Sequence, residues 1–285
     1  MTFDPRLTPA RPDLAAEALR GTVAAARYVA PTPARVVRGV LPLSATPEAA
    51  EQATELLWGE TVAVLEIAEG RAWVQADADR YVGYVAAEAL GPPGLTPTHR
   101  VAARGAHLYP APSVKPLPLA ALPMGALLTV RGPAEGGRAG GGAAAWLDCT
   151  DGFVHAAALA PLDRPAPDWV AVAESLLGAP YLWGGRTQAG LDCSGLIQTA
   201  RRAAGLPCPR DSDQQAAAFP LADGPPRRGD LAFWPGHVGV LTDPDTLLHA
   251  NAHHMAVVRE PFAAAVARIE AAGYGPPVLH RPSPT

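Results

Sequence analysis

The chain has 285 residues, of which 48% are hydrophobic, so it can bury a sizeable core, and its length favours two or three domains. Its 27 acidic and 23 basic residues give a formal net charge of -4. That balance lacks the basic excess that neutralises phosphates, which argues against nucleic acid as a partner. The three cysteines, Cys149, Cys193 and Cys208, form no CxxC pair, which argues against a disulfide framework and a structural zinc site.

The first residues of the chain are too rich in charge for an export signal. Charged side chains from Asp4 to Arg20 interrupt any hydrophobic stretch, so we expect no signal peptide. The sequence also has no apolar run of about 18 residues, so we expect no transmembrane helix. We expect a cytoplasmic monomer with no membrane partner, no metal and no cofactor.

Residues 13–29 have the apolar spacing of an amphipathic helix. Asp13 is a candidate N-cap, Leu14 begins the apolar face, and Pro31 ends the pattern. We therefore predict a helical arm over residues 1–34 that packs on a neighbouring domain.

Residues 35–95 consist of short β-rich runs separated by turn residues, which predicts a small barrel or sandwich. Residues 96–162 repeat the pattern, which predicts a second copy of the same domain. The aligned pairs are Gly59 with Gly125, Glu60 with Ala126, Trp73 with Trp146, Gly83 with Gly152, Tyr84 with Phe153, and Leu90 with Leu159. Tyr81 has no counterpart because the second copy is shorter there, and the glycine-rich run 136–145 is predicted to be a hairpin loop of that copy.

A third domain is predicted over residues 163–285, after the proline-rich linker 161–167. Its first element is a helix over residues 168–178, with Asp168 as the N-cap and Gly178 as the stop.

Cys193 is the strongest candidate for a reactive group. It follows an irregular glycine-containing loop and opens a predicted helix that ends at Gly205. The positive end of a helix dipole favours a thiolate, and its unpaired N–H groups can hold an oxyanion. Asp192 and Ser194 flank the cysteine and can cap or brace the turn. A buried core thiol is the alternative interpretation of Cys193.

Two histidines on neighbouring predicted strands supply candidate bases. His237 begins a strand after the turn that contains Gly236, and His249 lies on the next strand. One imidazole would take the thiol proton, and the other would hold the tautomer of the first ring. Asn251, two residues beyond His249, is a rival for this third position because both side chains share one face of a strand. A metal site at His249, His253 and His254 is disfavoured, since no carboxylate lies nearby in sequence.

The runs YLWGG, DCSGL, PRDSDQQ, GDLAFWPGHVGV and LLHAN resemble the NlpC family of papain-like cysteine peptidases, over residues 166–285. The two β-rich copies resemble bacterial SH3-like domains. The whole chain is thus similar to γ-D-glutamyl-L-diamino acid endopeptidases of the dipeptidyl-peptidase VI type. This resemblance implies an α+β protein, in which two small SH3-like barrels precede a papain-like domain with a helix packed on an antiparallel sheet.

The resemblance also implies roles for individual residues. Cys193 would be the nucleophile, His237 the general base, His249 the polar third member, and Tyr181 an oxyanion donor. The substrate would be a murein peptide, L-Ala-γ-D-Glu-diamino acid, whose free amine some members of the family require. The residues implied or expected at the substrate are Glu60, Tyr81, Asp211, Ser212, Trp183, Asp192, Ser194 and Gly236. Among these residues, Glu60, Tyr81 and Asp211 would contact the free amine of the substrate.

Two other functions remain open at this point. The tandem SH3-like copies could make the chain a cell-wall-binding module in which catalysis is secondary. The thiol could also serve an amidase or acyltransferase that acts on other acyl groups.

Overall fold

The computed structural model describes residues 3–135 and 146–283, which divide into two compact units, Met1–Leu162 and Asp163–Thr285. The predicted hairpin loop over residues 136–145 lies outside the described residues. No helix within the described ranges is long and apolar enough to cross a membrane.

The prediction of an N-terminal helical arm is wrong. The segment instead forms two short parallel strands, β1 (Leu14–Ala16) and β2 (Arg27–Val29). A 3-10 turn at Glu17–Leu19 lies between them. Leu14 is fully buried in a cluster that contains Trp73 of the first β-rich copy. Gly21 adopts a positive φ of 81° between the strands. Packing against that copy therefore overrides the helical spacing, and a glycine turn is built where a helix would have continued.

Arg11 fixes this extended arm to the first copy. Its guanidinium lies 4.4 Å from the centre of the Trp73 ring and donates to Glu66 and to the Tyr84 hydroxyl. It also donates to Asp13, so the predicted N-cap carboxylate forms an ion pair instead. Reciprocal backbone hydrogen bonds between Arg11 and Leu14 close a turn over residues 11–14, and the Arg11 contacts hold this turn on the first copy.

The first β-rich copy forms one antiparallel sheet in the order β5-β4-β8-β7-β6-β3-β9. The strands are β3 (Thr32–Val36), β4 (Val40–Ser44), β5 (Gln52–Leu57), β6 (Thr61–Ala68), β7 (Arg71–Ala76), β8 (Val82–Ala86) and β9 (Leu90–Gly91), with a 3-10 turn at Ala87–Ala89.

The second copy pairs its strands in the same pattern, with β10 between β13 and β17, β11 on β12, and β14-β15-β16 in one sheet. Its strands are β10 (His99–Val101), β11 (Gly105–Leu108), β12 (Ala120–Pro123), β13 (Leu127–Leu128), β14 (Val130–Pro133), β15 (Trp146–Cys149), β16 (Gly152–His155) and β17 (Leu159–Pro161), with a 3-10 turn at Ala156–Ala158.

The aligned glycines Gly59 and Gly125 make identical backbone contacts. In each copy the glycine N–H donates to a valine carbonyl, and that valine N–H donates to the residue after the glycine. The residues are Gly59, Val36 and Glu60 in the first copy and Gly125, Val101 and Ala126 in the second. Both glycines have positive φ, 80° and 88°. Glu60, which is 3% exposed, thus occupies the position of Ala126, which is fully buried.

The tryptophan pair of the sequence alignment is displaced by two residues. Trp73 lies opposite Tyr84, whereas the residue opposite Phe153 is Asp148 and not Trp146. The cause is the turn between the paired strands, which spans 77–81 in the first copy and only 150–151 in the second. A shorter turn changes which residues face each other, and sequence alignment across it could not detect this.

The second unit is α+β, as predicted. Its helices are α1 (Trp169–Ser175), α2 (Cys193–Ala203), α3 (Ser212–Ala218) and α4 (Phe262–Ala271). A two-stranded sheet precedes α2 and consists of β18 (Arg186–Thr187) and β19 (Gly190–Leu191). The main antiparallel sheet has the order β23-β22-β21-β20-β24, from β20 (Leu231–Trp234), β21 (His237–Asp243), β22 (Thr246–Asn251), β23 (Ala256–Pro261) and β24 (Val278–His280).

The predicted helix starts of this unit are confirmed. The Asp168 side chain accepts from the N–H groups of Val170 and Ala171, and α1 ends at Ser175, before Gly178. Helix α4 covers one face of the main sheet, where Trp234 and its neighbours form an apolar cluster with Ala265. Helix α2 packs against β21 and β22 and brings Cys193 to the sheet.

Candidate active site

The first turn of α2 is held by one buried carboxylate, that of Asp192. Its Oδ1 accepts the Gly195 N–H at 2.6 Å, and its Oδ2 accepts the Gly184 N–H at 2.8 Å. The first of these bonds caps the helix that Cys193 opens, as predicted. A Cβ atom on Gly195 would lie 2.1 Å from the Gly185 carbonyl oxygen, so this loop requires glycine against the helix.

Arg210 completes the brace from the segment before α3. It is 1% exposed and donates to both Asp192 oxygens, at 3.0 and 2.6 Å. It also donates to the Ser194 hydroxyl at 2.9 Å, and Gln215 Nε2 donates to the Ser194 carbonyl at 3.0 Å. Asp192 and Ser194 were expected among the substrate-lining residues, but the structure uses their polar atoms within this brace. The bracing alternative is therefore the one that the geometry supports.

The Cys193 sulfur lies against the backbone on both sides of His237. It is 4.0 Å from the carbonyl oxygen of Gly236, and the N–H groups of Val238 and Ser194 point at it and lower the pKa of the thiol. The fold therefore brings the backbone around His237 against the Cys193 sulfur, although the two residues are 44 positions apart in sequence. Gly236 has a positive φ of 73°, which forms the tight turn before β21.

A chain of hydrogen bonds extends from His237 into the sheet. His237 Nε2 lies 2.8 Å from His249 Nδ1, and His249 Nε2 lies 2.7 Å from Glu260 Oε1. Arg268 of α4 donates to the same Glu260 oxygen. His249 is fully buried, so each of its ring nitrogens finds its partner inside the protein.

This chain fixes the proton positions on both rings. Although burial opposes ionisation, hydrogen bonds from His249 and Arg268 hold the pKa of Glu260 below its ordinary value, so its side chain is a carboxylate. A carboxylate only accepts, so His249 must carry its proton on Nε2 and accept at Nδ1. His237 then donates from Nε2, which leaves its Nδ1 as the basic nitrogen. Glu260 thereby sets the tautomer of the candidate base through His249.

Burial keeps the thiol and the imidazoles neutral in the free protein. It raises the pKa of Cys193 to about 12, with a contribution from the Asp192 carboxylate. Burial, repulsion from His249 and repulsion from Arg268 lower the pKa of His237 to about 3. Burial also lowers the pKa of His249 to about 4, against the opposing effect of Glu260. The backbone N–H groups at the helix start favour the thiolate, but burial has the larger effect on the pKa of Cys193 in the free protein.

Tyr181 is half-buried close to the cysteine. Burial and the nearby Cys193 and Asp192 raise the pKa of its phenol to about 12, so the hydroxyl keeps its proton and can donate a hydrogen bond. Trp183, two residues on, is 67% exposed.

Asn251 shares the strand face of His249 but does not join the chain of hydrogen bonds. Its Oδ1 accepts from the backbone N–H and the ring of His254, at 2.8 and 3.0 Å. His249 is thus the third member that the geometry favours over Asn251. Within residues 3–135 and 146–283, no three His, Cys, Asp or Glu side chains converge as a metal site.

The residues predicted to bind the substrate amine fall in both units. Glu60 and Tyr81 belong to the first unit, where both are buried, and the Leu57 N–H donates to Glu60 Oε2 at 2.9 Å. Neither of them is therefore a surface residue. Asp211 is the N-cap of α3 in a capping box with Gln214, and Ser212 is the first residue of that helix. Their part in amine binding stays a prediction.

Three residues of the site were not predicted from the sequence, namely Arg210, Glu260 and Arg268. Arg210 lies inside the PRDS run. A basic residue in this run could have been predicted to pair with the acidic Asp192 that precedes Cys193. Glu260 reaches His249 only because β22 and β23 pair in a register that puts Leu247 opposite Glu260. No local sequence pattern predicts such a contact, because the residues around Glu260 in the sequence are mostly apolar.

Comparison with known proteins identifies the two parts of this arrangement. Residues 178–268 match the NlpC/P60 family, and residues 43–90 match the bacterial dipeptidyl-peptidase Sh3 domain. The NlpC/P60 match lies within the second unit, and it agrees with the resemblance found in the sequence. The Sh3 match covers the first β-rich copy, and the assignment of the second copy to that family stays a prediction.

Curated relatives resemble the NlpC/P60 part of the chain. "Dipeptidyl-peptidase 6" of Lysinibacillus sphaericus is 35% identical over 85 residues, which cover 29% of this chain and 31% of the relative. "Gamma-D-glutamyl-L-lysine dipeptidyl-peptidase" of Bacillus subtilis is 36% identical over 96 residues, which cover 30% of this chain and 32% of the relative. The chain thus spans about a third of the length of these relatives.

A solved structure shares the fold over most of the chain. The NlpC/P60 family protein from Bacillus cereus ATCC 10987 has a TM-score of 0.73 and 18% identity, and the match covers 89% of this chain and 100% of that one. At this identity the likeness shows the fold alone.

We expect acid to destabilise this unit through its buried histidines. Their folded-state pKa values of about 3 and 4 lie below the ordinary value of 6.5, so the unfolded chain binds protons first as the pH falls. The stabilisation is present above pH 6.5 and is lost towards pH 3–4. When the pH falls from about 7 to about 5, each histidine should lower the free energy of unfolding by about 2 kcal/mol.

Urea denaturation of the full chain at both pH values measures this loss. His249→Gln should lose markedly less stability between the two pH values than the wild type. Asn251→Ala, a non-titrating change on the same strand, should keep the wild-type loss. Equal losses in all three proteins would contradict the assignment.

We expect Glu260→Gln to disturb the tautomers of both histidines. The amide can donate as well as accept, so it no longer forces the proton onto His249 Nε2. Nitrogen-15 NMR of the histidine rings near pH 7 should show one tautomer for each ring in the wild type and mixed populations in Glu260→Gln. Glu270→Gln, an exposed change on the same helix as Arg268, serves as the control. An unchanged spectrum in Glu260→Gln would rule out its positioning role.

Proposed function

We propose that the chain is a cysteine peptidase that hydrolyses the γ-D-Glu–diamino acid bond of murein stem peptides. The observation that carries this proposal is the Cys193 sulfur against the backbone of Gly236 and Val238, which flank His237, together with the orientation of that ring by His249 and Glu260. Relatives named as γ-D-glutamyl-L-lysine dipeptidyl-peptidases support the substrate class.

The geometry supports a nucleophilic mechanism. His237 Nδ1 takes the proton as the Cys193 sulfur attacks the γ-carbonyl of D-Glu, so the resting neutral pair becomes charged only when substrate is bound. The Cys193 N–H at the helix start and the Tyr181 hydroxyl are the candidate donors to the oxyanion. His237 then protonates the leaving amine of the diamino acid, and water, deprotonated by the same ring, hydrolyses the acyl-enzyme.

The repeat supports a ligand role for Glu60. Its backbone makes the same hydrogen bonds as that of Ala126, and both positions are buried. The second copy builds this turn with a methyl group, so the fold does not require a carboxylate there. We propose that the same carboxylate, whose Oε2 accepts the Leu57 N–H, also contacts the substrate ammonium.

A preference for free L-Ala would also define the biological role. In intact murein that nitrogen is acylated, so a peptide with a free amine is a released fragment. We therefore extend the proposal to the recycling of soluble murein peptides, by a chain that acts as a monomer in the cytoplasm.

Cys193→Ala should abolish cleavage of L-Ala-γ-D-Glu-L-Lys, because the bond-forming sulfur is gone. We expect a loss of about 1,000-fold or more in kcat/KM. Cys208→Ala, which changes another buried thiol of the same unit, should retain activity. Mass spectrometry of the products reads out hydrolysis, and equal cleavage by wild type and Cys193→Ala would overturn the mechanism. A product mass that shows acyl transfer would favour the acyltransferase alternative.

Acetylation of the substrate L-Ala should lower kcat/KM about 10- to 100-fold, because a charge-assisted contact to the amine is lost. In Glu60→Gln the penalty for acetylation should shrink, since the variant already lacks the carboxylate. Glu55→Gln, a buried glutamate of the same copy, should keep the full penalty. Equal rates on the free and acetylated peptides would remove Glu60, Tyr81 and Asp211 from amine recognition.

A further inference from the structure

A cavity of about 320 Å³ adjoins the histidine pair, on the face of the main sheet that carries α4. His237, His249 and Gly236 form its wall towards the reacting atoms. The remaining wall comes from the sheet and from the C-terminal part of α4. Its polar members there are Trp234, Asn251, His253, Arg268 and Tyr274.

Two buried hydrogen-bond donors without a partner in the described parts of the chain belong to residues that line this cavity. They are Trp234 Nε1 and Asn251 Nδ2, on side chains that belong to residues 5% and 6% exposed. A buried N–H that makes no hydrogen bond costs about 1–3 kcal/mol, so native structures rarely keep one without a use. Two such groups in one cavity indicate a ligand that accepts hydrogen bonds.

The charge of the wall indicates that this ligand is an anion. Arg268 contributes a guanidinium, and it lies close enough to repel a proton on His237. Among the described residues that line the cavity, none is acidic. Glu260, the ion-pair partner of Arg268, does not belong to the wall. Indole N–H, amide N–H and guanidinium donors together match the acceptor geometry of a carboxylate.

We propose that this cavity is a subsite for the carboxylate of the leaving residue, the diamino acid released by cleavage. This inference rests on the proposed function, which puts the leaving amine at His237. The residue that carries this amine must lie beside His237, and its own carboxylate follows within a few bonds. Trp234 Nε1 and Asn251 Nδ2 hold the carboxylate oxygens, and Arg268 supplies the balancing charge.

Such a subsite would also couple substrate binding to the chemistry. Repulsion from Arg268 contributes to the low proton affinity of His237 in the free protein. A carboxylate bound between them offsets that repulsion, so His237 accepts the Cys193 proton more readily once the correct substrate is in place. A substrate without this charge would then lose both affinity and rate.

The test compares L-Ala-γ-D-Glu-L-Lys with its C-terminal amide, which keeps the scissile bond and removes only the charge. The wild type should prefer the free acid by about 10- to 100-fold in kcat/KM. In Trp234→Phe, which removes the indole N–H and keeps an aromatic ring, the preference should fall towards unity because the free acid loses this contact. Trp169→Phe, a buried tryptophan of α1 outside the cavity, should keep the full preference.

A binding measurement separates this inference from the proposed function. In full-length Cys193→Ala, the free acid should shift the Trp234 indole N–H resonance in NMR, and the amide should not. Cleavage of both peptides at equal kcat/KM, with no such shift, would overturn the subsite and leave the proposed function intact. A shift with the acid alone, without cleavage by the wild type, would show that the cavity binds a carboxylate, but it would overturn the proposed function and with it the assignment to a leaving residue. Neither cleavage nor a shift would overturn both.

Discussion

The Asp192 carboxylate is the point on which the candidate active site depends. It joins the loop before α2, the first turn of α2 and the segment before α3, because it accepts from Gly184, Gly195 and the buried Arg210. Removal of either partner of this ion pair would leave an uncompensated charge in the interior, which typically costs about 3–5 kcal/mol. The position of the Cys193 sulfur is thus tied to a contact that the protein cannot easily lose.

The same burial that fixes the site also determines how it can react. Desolvation keeps the Cys193 thiol and the His237 ring neutral, so neither is charged before substrate arrives. Orientation is instead prepared in advance, since Glu260 and His249 leave His237 with its basic nitrogen free. In such a site the hydrogen bonds fix where the protons lie in the free protein, and charges separate only in the complex with substrate.

The repeat in the first unit shows how one scaffold can carry different side chains. The backbone bonds around Gly59 and Gly125 are equivalent, and they are followed by a carboxylate in one copy and a methyl group in the other. A turn that is stabilised by its own backbone tolerates either residue. This freedom separates the residues that the fold needs from those that only a ligand would need.

The sequence by itself determined the local features of this protein. Capping residues predicted the starts of α1 and α2, and the turn at Gly236 predicted the strands that carry His237 and His249, because these signals act over a few residues. Only the tertiary structure decided the rest. The helical spacing of residues 13–29 was overridden by the burial of Leu14, and Glu260 reached His249 through strand register. The protonation of Cys193 followed from desolvation, a property of the packed interior that no stretch of sequence contains.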